Sequence, residues 1–239
     1  MSKRSDKIAI VTGGTGALGR VVVEKLLETG AIVITTHTGS ALSNDFVSTL
    51  QKRGLKIEGK IVDVNSENSV MNFYRNVIEQ YGGVDILCNL VGGVSGKKYI
   101  EDIEMDEWNR MFDINLLSCL LMMRISVLEM KKRGFGRIVN ITAMLAVTTE
   151  AKRGGYGVAK AGVIALTKTV AEEIKEFGDI TVNAIAPSII VTAENRKWGT
   201  EEEIKKWVTP DQIADMILHL CSDSGAAING QVIQMYGKV

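Results

Sequence analysis

Short runs of β-branched and aliphatic residues alternate along the chain with longer stretches whose apolar positions recur every three or four residues. The short runs predict strands at Ile8–Thr12, Ile32–Thr36, Lys56–Val62, Val84–Cys88, Arg137–Thr142, Ile180–Ile185 and Val232–Met235. The intervals predict helices, among them Trp108–Met130 and Tyr156–Phe177. Strands joined by helical crossovers pair in parallel, so the pattern implies the α/β class: a doubly wound, seven-stranded parallel sheet with helices on both faces. Low-complexity tracts, repeats and Pro- or Gly-rich linkers are absent, and Pro187 and Pro210 stand where an element should begin or end. A single domain over residues 1–239 is expected.

Charge narrows the class of partner. The 28 basic and 28 acidic side chains cancel, so no overall field draws the chain to nucleic acid or an anionic membrane. The run Lys131, Lys132, Arg133 reads as a solvated helix end, where cations oppose the dipole. Cys88, Cys119 and Cys221 lie among apolar residues without metal-type spacing, which suits reduced thiols in a cytoplasmic protein. The charged start, Met1 to Lys7, precedes an apolar run too short for a signal peptide, and no targeting segment is evident. Ile114 to Met130 contains Arg124 and Glu129 and falls short of the roughly 20 apolar residues of a spanning helix, so a buried helix is expected.

Behind the first strand comes Thr12-Gly13-Gly14-Thr15-Gly16-Ala17-Leu18-Gly19, followed by Val21, Val22, Leu26 and Leu27 at helical spacing. A strand, a glycine turn and a helix N-terminus together bring bare backbone and free N–H groups to a pyrophosphate. Dinucleotide folds usually place a carboxylate at the end of the second strand to hold the adenosine ribose. Here that stretch reads Ile34-Thr35-Thr36-His37-Thr38-Gly39-Ser40. Without a carboxylate to repel a 2′-phosphate, and with His37, Thr38 and Ser40 as donors, NADP(H) is favoured and NAD(H) stays open. No Arg or Lys lies in that loop, and an exposed, unengaged His37 is an equal alternative.

Tyr156 and Lys160 in Tyr156-Gly157-Val158-Ala159-Lys160 share one helical face. A nearby ammonium stabilises a phenolate and so makes a tyrosine useful in proton transfer. With these residues in place, the chain resembles the short-chain dehydrogenase/reductase family, ketoacyl-reductase-like, over essentially its whole length. The glycine turn is similar to T-G-x-x-x-G-x-G, with Ala17 for its middle glycine and Gly16 one place early. Asp63-Val64 matches an acidic adenine contact, and Asn89-Leu90-Val91-Gly92 a degraded N-N-A-G. Asn115 stands at the family's structural and catalytic asparagine, and Pro187-Ser188-Ile189-Ile190-Val191-Thr192 resembles P-G-x-x-x-T.

The resemblance implies a Rossmann fold and an oxidoreductase in which hydride passes between nicotinamide C4 and a small carbonyl or alcohol substrate while Tyr156 moves the proton. Lys160 would lower the tyrosine pKa and hold the nicotinamide ribose, and Asn115 would hold a water linking Lys160 to solvent. Cofactor contacts are expected from Gly13, Thr15, Gly16, Leu18, His37, Thr38, Asp63, Val64, Asn89, Val91, Tyr156, Lys160, Pro187, Ile190 and Thr192. Taken singly, Asp63 reads as a helix cap, Asn115 as a helix-bending hydrogen bonder and Asn89 as a turn residue.

One position departs from the family. Its serine stands 13 residues before the tyrosine, and that place is Ala143. Thr142 neighbours it, but strand alternation turns Thr142 to the other face unless the strand ends in a bulge. Thr142, Ala143 and Met144 are expected beside the substrate. Three readings remain: a carbonyl reductase or alcohol dehydrogenase in which Thr142, Thr148, Thr149 or a water replaces the serine; a dihydropteridine-reductase-like enzyme acting on a ring; and a lapsed NADP-binding module. Asn195-Arg196-Lys197 and Trp207-Val208-Thr209-Pro210 also resemble the pteridine branch, which prefers NADH.

An amphipathic lid helix is expected within Ser188 to Val208, with Trp198 and Trp207 as packing anchors. His219 has no partner nearby and no metal is expected. In the family the helices corresponding to Trp108–Met130 and Tyr156–Phe177 build a four-helix interface, so a homodimer or homotetramer acting on a small-molecule substrate is implied.

Overall fold

The computed structural model describes residues 6–239. The reading of the N-terminal segment therefore lies outside the described residues except at Asp6 and Lys7. The elements run β1 (Ile8–Thr12), α1 (Ala17–Glu28), β2 (Ile32–His37), α2 (Ala41–Lys52), β3 (Ile57–Ile61), α3 (Glu67–Tyr81), β4 (Ile86–Asn89), α4 (Met105–Phe112), α5 (Ser118–Arg133) and β5 (Phe135–Ile141). They continue with α6 (Leu145–Thr148), α7 (Gly154–Glu173), β6 (Asp179–Pro187), α8 (Glu201–Ile204), α9 (Pro210–Cys221) and β7 (Val232–Met235).

All seven strands are parallel, in the order β3-β2-β1-β4-β5-β6-β7. This is the doubly wound Rossmann arrangement, and its topological switch lies between β1 and β4. Alternate strand residues explain why both faces are covered. Ile8, Ile10, Leu87 and Ile138 join one core with α3, α5 and α7. Ala9, Val11, Cys88 and Val139 join the other with α1, α2 and α9.

Met105–Arg133 is continuous helix of 29 residues, and by length and composition it is apolar enough to cross a membrane. This corrects the expectation that the segment is too short. Its residues Cys119, Met122, Met123 and Met130 pack in the core, where α5 lies on β4 and β5. A π turn at Asp113–Leu117 separates α4 from α5. The three cysteines carry free thiols.

The segment after β6 also departs from expectation. Instead of one amphipathic helix it forms a 3₁₀ turn at Asn195–Lys197 and the short α8. Gly199 divides them because a Cβ there would fall 2.2 Å from the Trp207 ring. Trp207 is buried and Trp198 exposed, with ring centroids 4.9 Å apart.

Candidate active site

The glycine turn follows β1 at the switch point. Thr12 ties the two sides of the switch together: its hydroxyl accepts from the N–H groups of Leu90 and Val91, at 3.0 and 3.3 Å. Gly13 has φ +65°, a conformation that favours glycine, and packs on Val91. A Cβ at Gly14 would fall 2.1 Å from Thr35 Oγ1, and one at Gly19 would fall 2.2 Å from the Gly13 carbonyl. Bare backbone is thus obligatory here. Helix α1 starts with no side-chain cap and no acidic residue in its first turn, so its N-terminal N–H groups keep their capacity for an anion.

A cavity of about 650 Å³ opens above this turn. Gly13, Thr15, Gly16 and Leu18 line one side, Thr38, Asp63 and Val64 the far end, and Val91 and Gly92 the other side. Its size, the glycine floor and the free helix terminus fit a dinucleotide. The Asp63 carboxylate accepts from the Asn65 N–H at 3.0 Å and keeps its other oxygen available.

Two expected contacts, Asn89 and Thr142, are corrected by their surroundings, and His37 keeps its place at the cavity in a different setting. His37 borders the cavity but ends β2 as a buried residue rather than standing in a loop. Its Nδ1 accepts from the Gly39 N–H at 3.0 Å and burial lowers its pKa, so the ring is neutral and brings no charge to a phosphate. Asn89 turns into the core, where its Nδ2 donates to Asn140 Oδ1 at 2.9 Å and its Oδ1 is buried without a partner. The Thr142 hydroxyl donates to the Lys160 carbonyl at 2.7 Å, so it faces α7 and not the substrate. Strand alternation persists through Thr142, as its sequence position requires.

Two residues that sequence reading missed stand behind Thr15. Arg20 Nε donates to the Thr15 carbonyl at 2.9 Å and Nη2 to the Leu42 carbonyl at 3.0 Å, with the guanidinium over the Phe46 ring. The Ser43 hydroxyl donates to the Thr15 hydroxyl at 2.9 Å and lies 2.9 Å from that of Ser40, which caps α2. The Ser40–Ser43 spacing is a legible cap signal; the reach of Arg20 from α1 is not.

Tyr156 is the third residue of α7, half-buried, and Lys160 lies one turn further on, buried. Burial raises the phenol pKa to about 12, against the opposing charge of Arg153. Burial also lowers Lys160 to about 8. Lys160 Nζ donates to the Ile141 carbonyl at 2.9 Å. Nζ and Asn115 Oδ1 each lie 2.9 Å from where a Cβ of Gly92 would stand.

Asn115 occupies the π turn and clamps the loop after β4. Its Nδ2 donates to the carbonyls of Gly93 and Met111, both at 2.9 Å, and its Oδ1 accepts from the Gly93 N–H at 3.1 Å. Both amide hydrogens are therefore engaged, and only Oδ1 retains capacity toward a water near Lys160.

Ala143 is buried at the head of α6, beside Met144, whose N–H donates to the Pro187 carbonyl at 2.8 Å. Thr148 does not supply the missing hydroxyl, since it donates to the Met144 carbonyl at 3.1 Å. Pro187 ends β6 and Ile190 and Thr192 lie in the segment after it; none of the three is among the residues that line the 650 Å³ cavity. Ile190 bridges to Val208, and the Thr192 hydroxyl accepts from the Asn195 N–H at 3.1 Å, which leaves its own hydrogen to donate.

The sequence profile described as short chain dehydrogenase matches residues 7–203. The chain is 31% identical over 244 residues to the 3-oxoacyl-(acyl-carrier-protein) reductase FabG of Aquifex aeolicus, covering 98% of each. It is 30% identical over 256 residues to the D-beta-hydroxybutyrate dehydrogenase of Rhizobium meliloti, covering 97% of each. The crystal structure of gox2181 superposes with a TM-score of 0.91 at 29% identity, covering 97% of this chain and 95% of that one. The chain belongs to the short-chain dehydrogenase/reductase family.

Proposed function

We propose that the chain is an NADP(H)-dependent oxidoreductase acting on a small carbonyl or alcohol, with Tyr156 as the proton donor and acceptor. The observation that carries this reading is the convergence of Lys160, Asn115 and Gly92 beside the end of the cavity bounded by the glycine turn, with Tyr156 one turn before Lys160 on α7. Bound nicotinamide supplies or takes up the hydride. A phenol with a pKa of about 12 stays protonated at neutral pH and donates to a carbonyl oxygen that gains negative charge. Lys160, with its low pKa, moves a proton readily between Tyr156 and the Asn115 Oδ1 side. The relatives reported above are named for a 3-oxoacyl group and a hydroxybutyrate, which supports a carbonyl–alcohol pair.

Preference for NADP(H) rests on the absence of a carboxylate at the end of β2, the Thr15–Ser43–Ser40 hydroxyl chain and the adjacent Arg20 guanidinium. Exposed Met71, Leu128 and Val158 on α3, α5 and α7 support a homodimer or homotetramer. The test is loss of reduced-nicotinamide absorbance with NADPH or NADH and a panel of oxo compounds. Turnover that Tyr156→Phe lowers roughly 10³-fold, with NADPH affinity kept, is the expected result. Unchanged turnover in that variant overturns the role of Tyr156.

A further inference from the structure

Helix α7 carries both Tyr156 and Lys160, yet its own sequence fixes its start poorly. Gly154, Gly155 and Gly157 stand in its first turn, no side chain caps it, and no acidic residue meets its N-terminal N–H groups. Just before it, Thr149 and Lys152 hold positive φ angles of 59° and 66°. Something outside the helix has to set where its first two turns lie.

Strand β5 supplies that reference. Ile138, Asn140 and Thr142 alternate onto the face that α7 covers, and two of them donate to the helix. Asn140 Nδ2 donates to Thr167 Oγ1 at 2.9 Å, and the Thr142 hydroxyl donates to the Lys160 carbonyl at 2.7 Å. Thr142 is itself fixed: it is buried, and its N–H donates to the Ile185 carbonyl of β6 at 2.9 Å. Lys160 Nζ donates in return to the carbonyl of Ile141. Two consecutive strand residues thus grip one helix residue, by its backbone and by its ammonium.

The Thr142 bond is more than the helix needs. A carbonyl inside an α-helix already accepts from the N–H four residues on, so the hydroxyl uses the second lone pair. What it adds is position. We propose that Thr142 is a positioning residue for the reaction: without touching substrate or cofactor, it sets the seating of α7 on the sheet so that the Lys160 ammonium stays at the Ile141 carbonyl, beside Asn115. This inference rests on the place of Lys160 in the proton path given above. Among the described residues, the titratable group that faces the ammonium from a neighbouring helix is Cys119 on α5, and Tyr156 stands one turn earlier on α7.

Thr142→Val removes the hydroxyl and keeps the shape, whereas Thr142→Ser keeps the donor. Protein labelled with carbon-13 at lysine Cε is titrated without cofactor, the Lys160 signal being assigned by its loss in Lys160→Met. In parallel, kcat and KM are measured with NADPH and the panel of oxo compounds. In Thr142→Val the ammonium loses its hold on the Ile141 carbonyl, which disfavours the charged form. The Lys160 midpoint should then fall by roughly one pH unit and kcat by roughly 10-fold, with KM and NADPH affinity little changed. Thr142→Ser should return both toward wild type. A midpoint or a kcat that Thr142→Val leaves in place overturns the inference, as does a loss of rate matched by an equal loss of NADPH affinity, which would make Thr142 a packing residue alone. If no compound on the panel turns over, the midpoint decides by itself. A shifted midpoint together with turnover that Tyr156→Phe leaves unchanged keeps the tie and overturns the reading of Tyr156.

Discussion

Lys160 reaches back along its own helix to the end of β5, where Nζ donates to the Ile141 carbonyl at 2.9 Å. The ammonium is thus buried on a single backbone acceptor, and desolvation lowers its pKa from 10.5 to about 8. Between those values the unfolded chain holds a proton that the folded chain has released, so stability rises with pH across that window. The full shift corresponds to about 3 kcal/mol. Lys160→Met should be more stable than wild type at pH 7, and the gap should close as pH climbs from 8 toward 10. Urea melts of both proteins across this range check it; a gap that widens with pH is the contrary result.

Ala143 carries no hydroxyl for a carbonyl oxygen, and those of Thr142 and Thr148 donate elsewhere. Ala143→Ser should therefore raise kcat for uncharged ketones, by up to roughly 10²-fold, with KM little changed. Steady-state rates suffice. A fall in rate would show that the methyl group of Ala143 marks space the substrate occupies.

Gly92→Ala tests the convergence behind the loop. The new Cβ would stand 2.9 Å from both Lys160 Nζ and Asn115 Oδ1, and must push one of them aside. Turnover is expected to drop roughly 10²-fold while NADPH binding changes little. Equal losses in rate and affinity would place Gly92 with the cofactor instead.

Arg20→Ala addresses cofactor choice. Removing the guanidinium beside Thr15 and Leu42 should weaken NADPH binding about 10-fold and leave NADH binding nearly unchanged. Fluorescence titration with each cofactor decides it, and an equal loss for both would assign Arg20 to holding the turn.

Local pattern foretold the fold well because a strand and its alternation need only neighbouring residues. Strands β1 and β7 match the expected bounds, and the two faces of β5 keep their alternation as far as Thr142. Contacts between distant segments were not legible. Asn89 reads as a site residue until Asn140 and Cys119, from β5 and α5, enclose it. The π turn at Asn115 interrupts a stretch whose apolar pattern reads as plain helix. Arg20 was missed because only folding brings α1 beside the start of α2. In the lid, helical spacing misled because Gly199 must give way to Trp207.

Residues 90–93 connect two places that are far apart along the chain. At one end Thr12 grips Leu90 and Val91; at the other Asn115 grips Gly93. Four residues therefore act as a short strut between the glycine turn and the place where Lys160 and Asn115 meet. Each end is held by a different element, so a sequence change in this stretch is felt at whichever anchor it lies nearer.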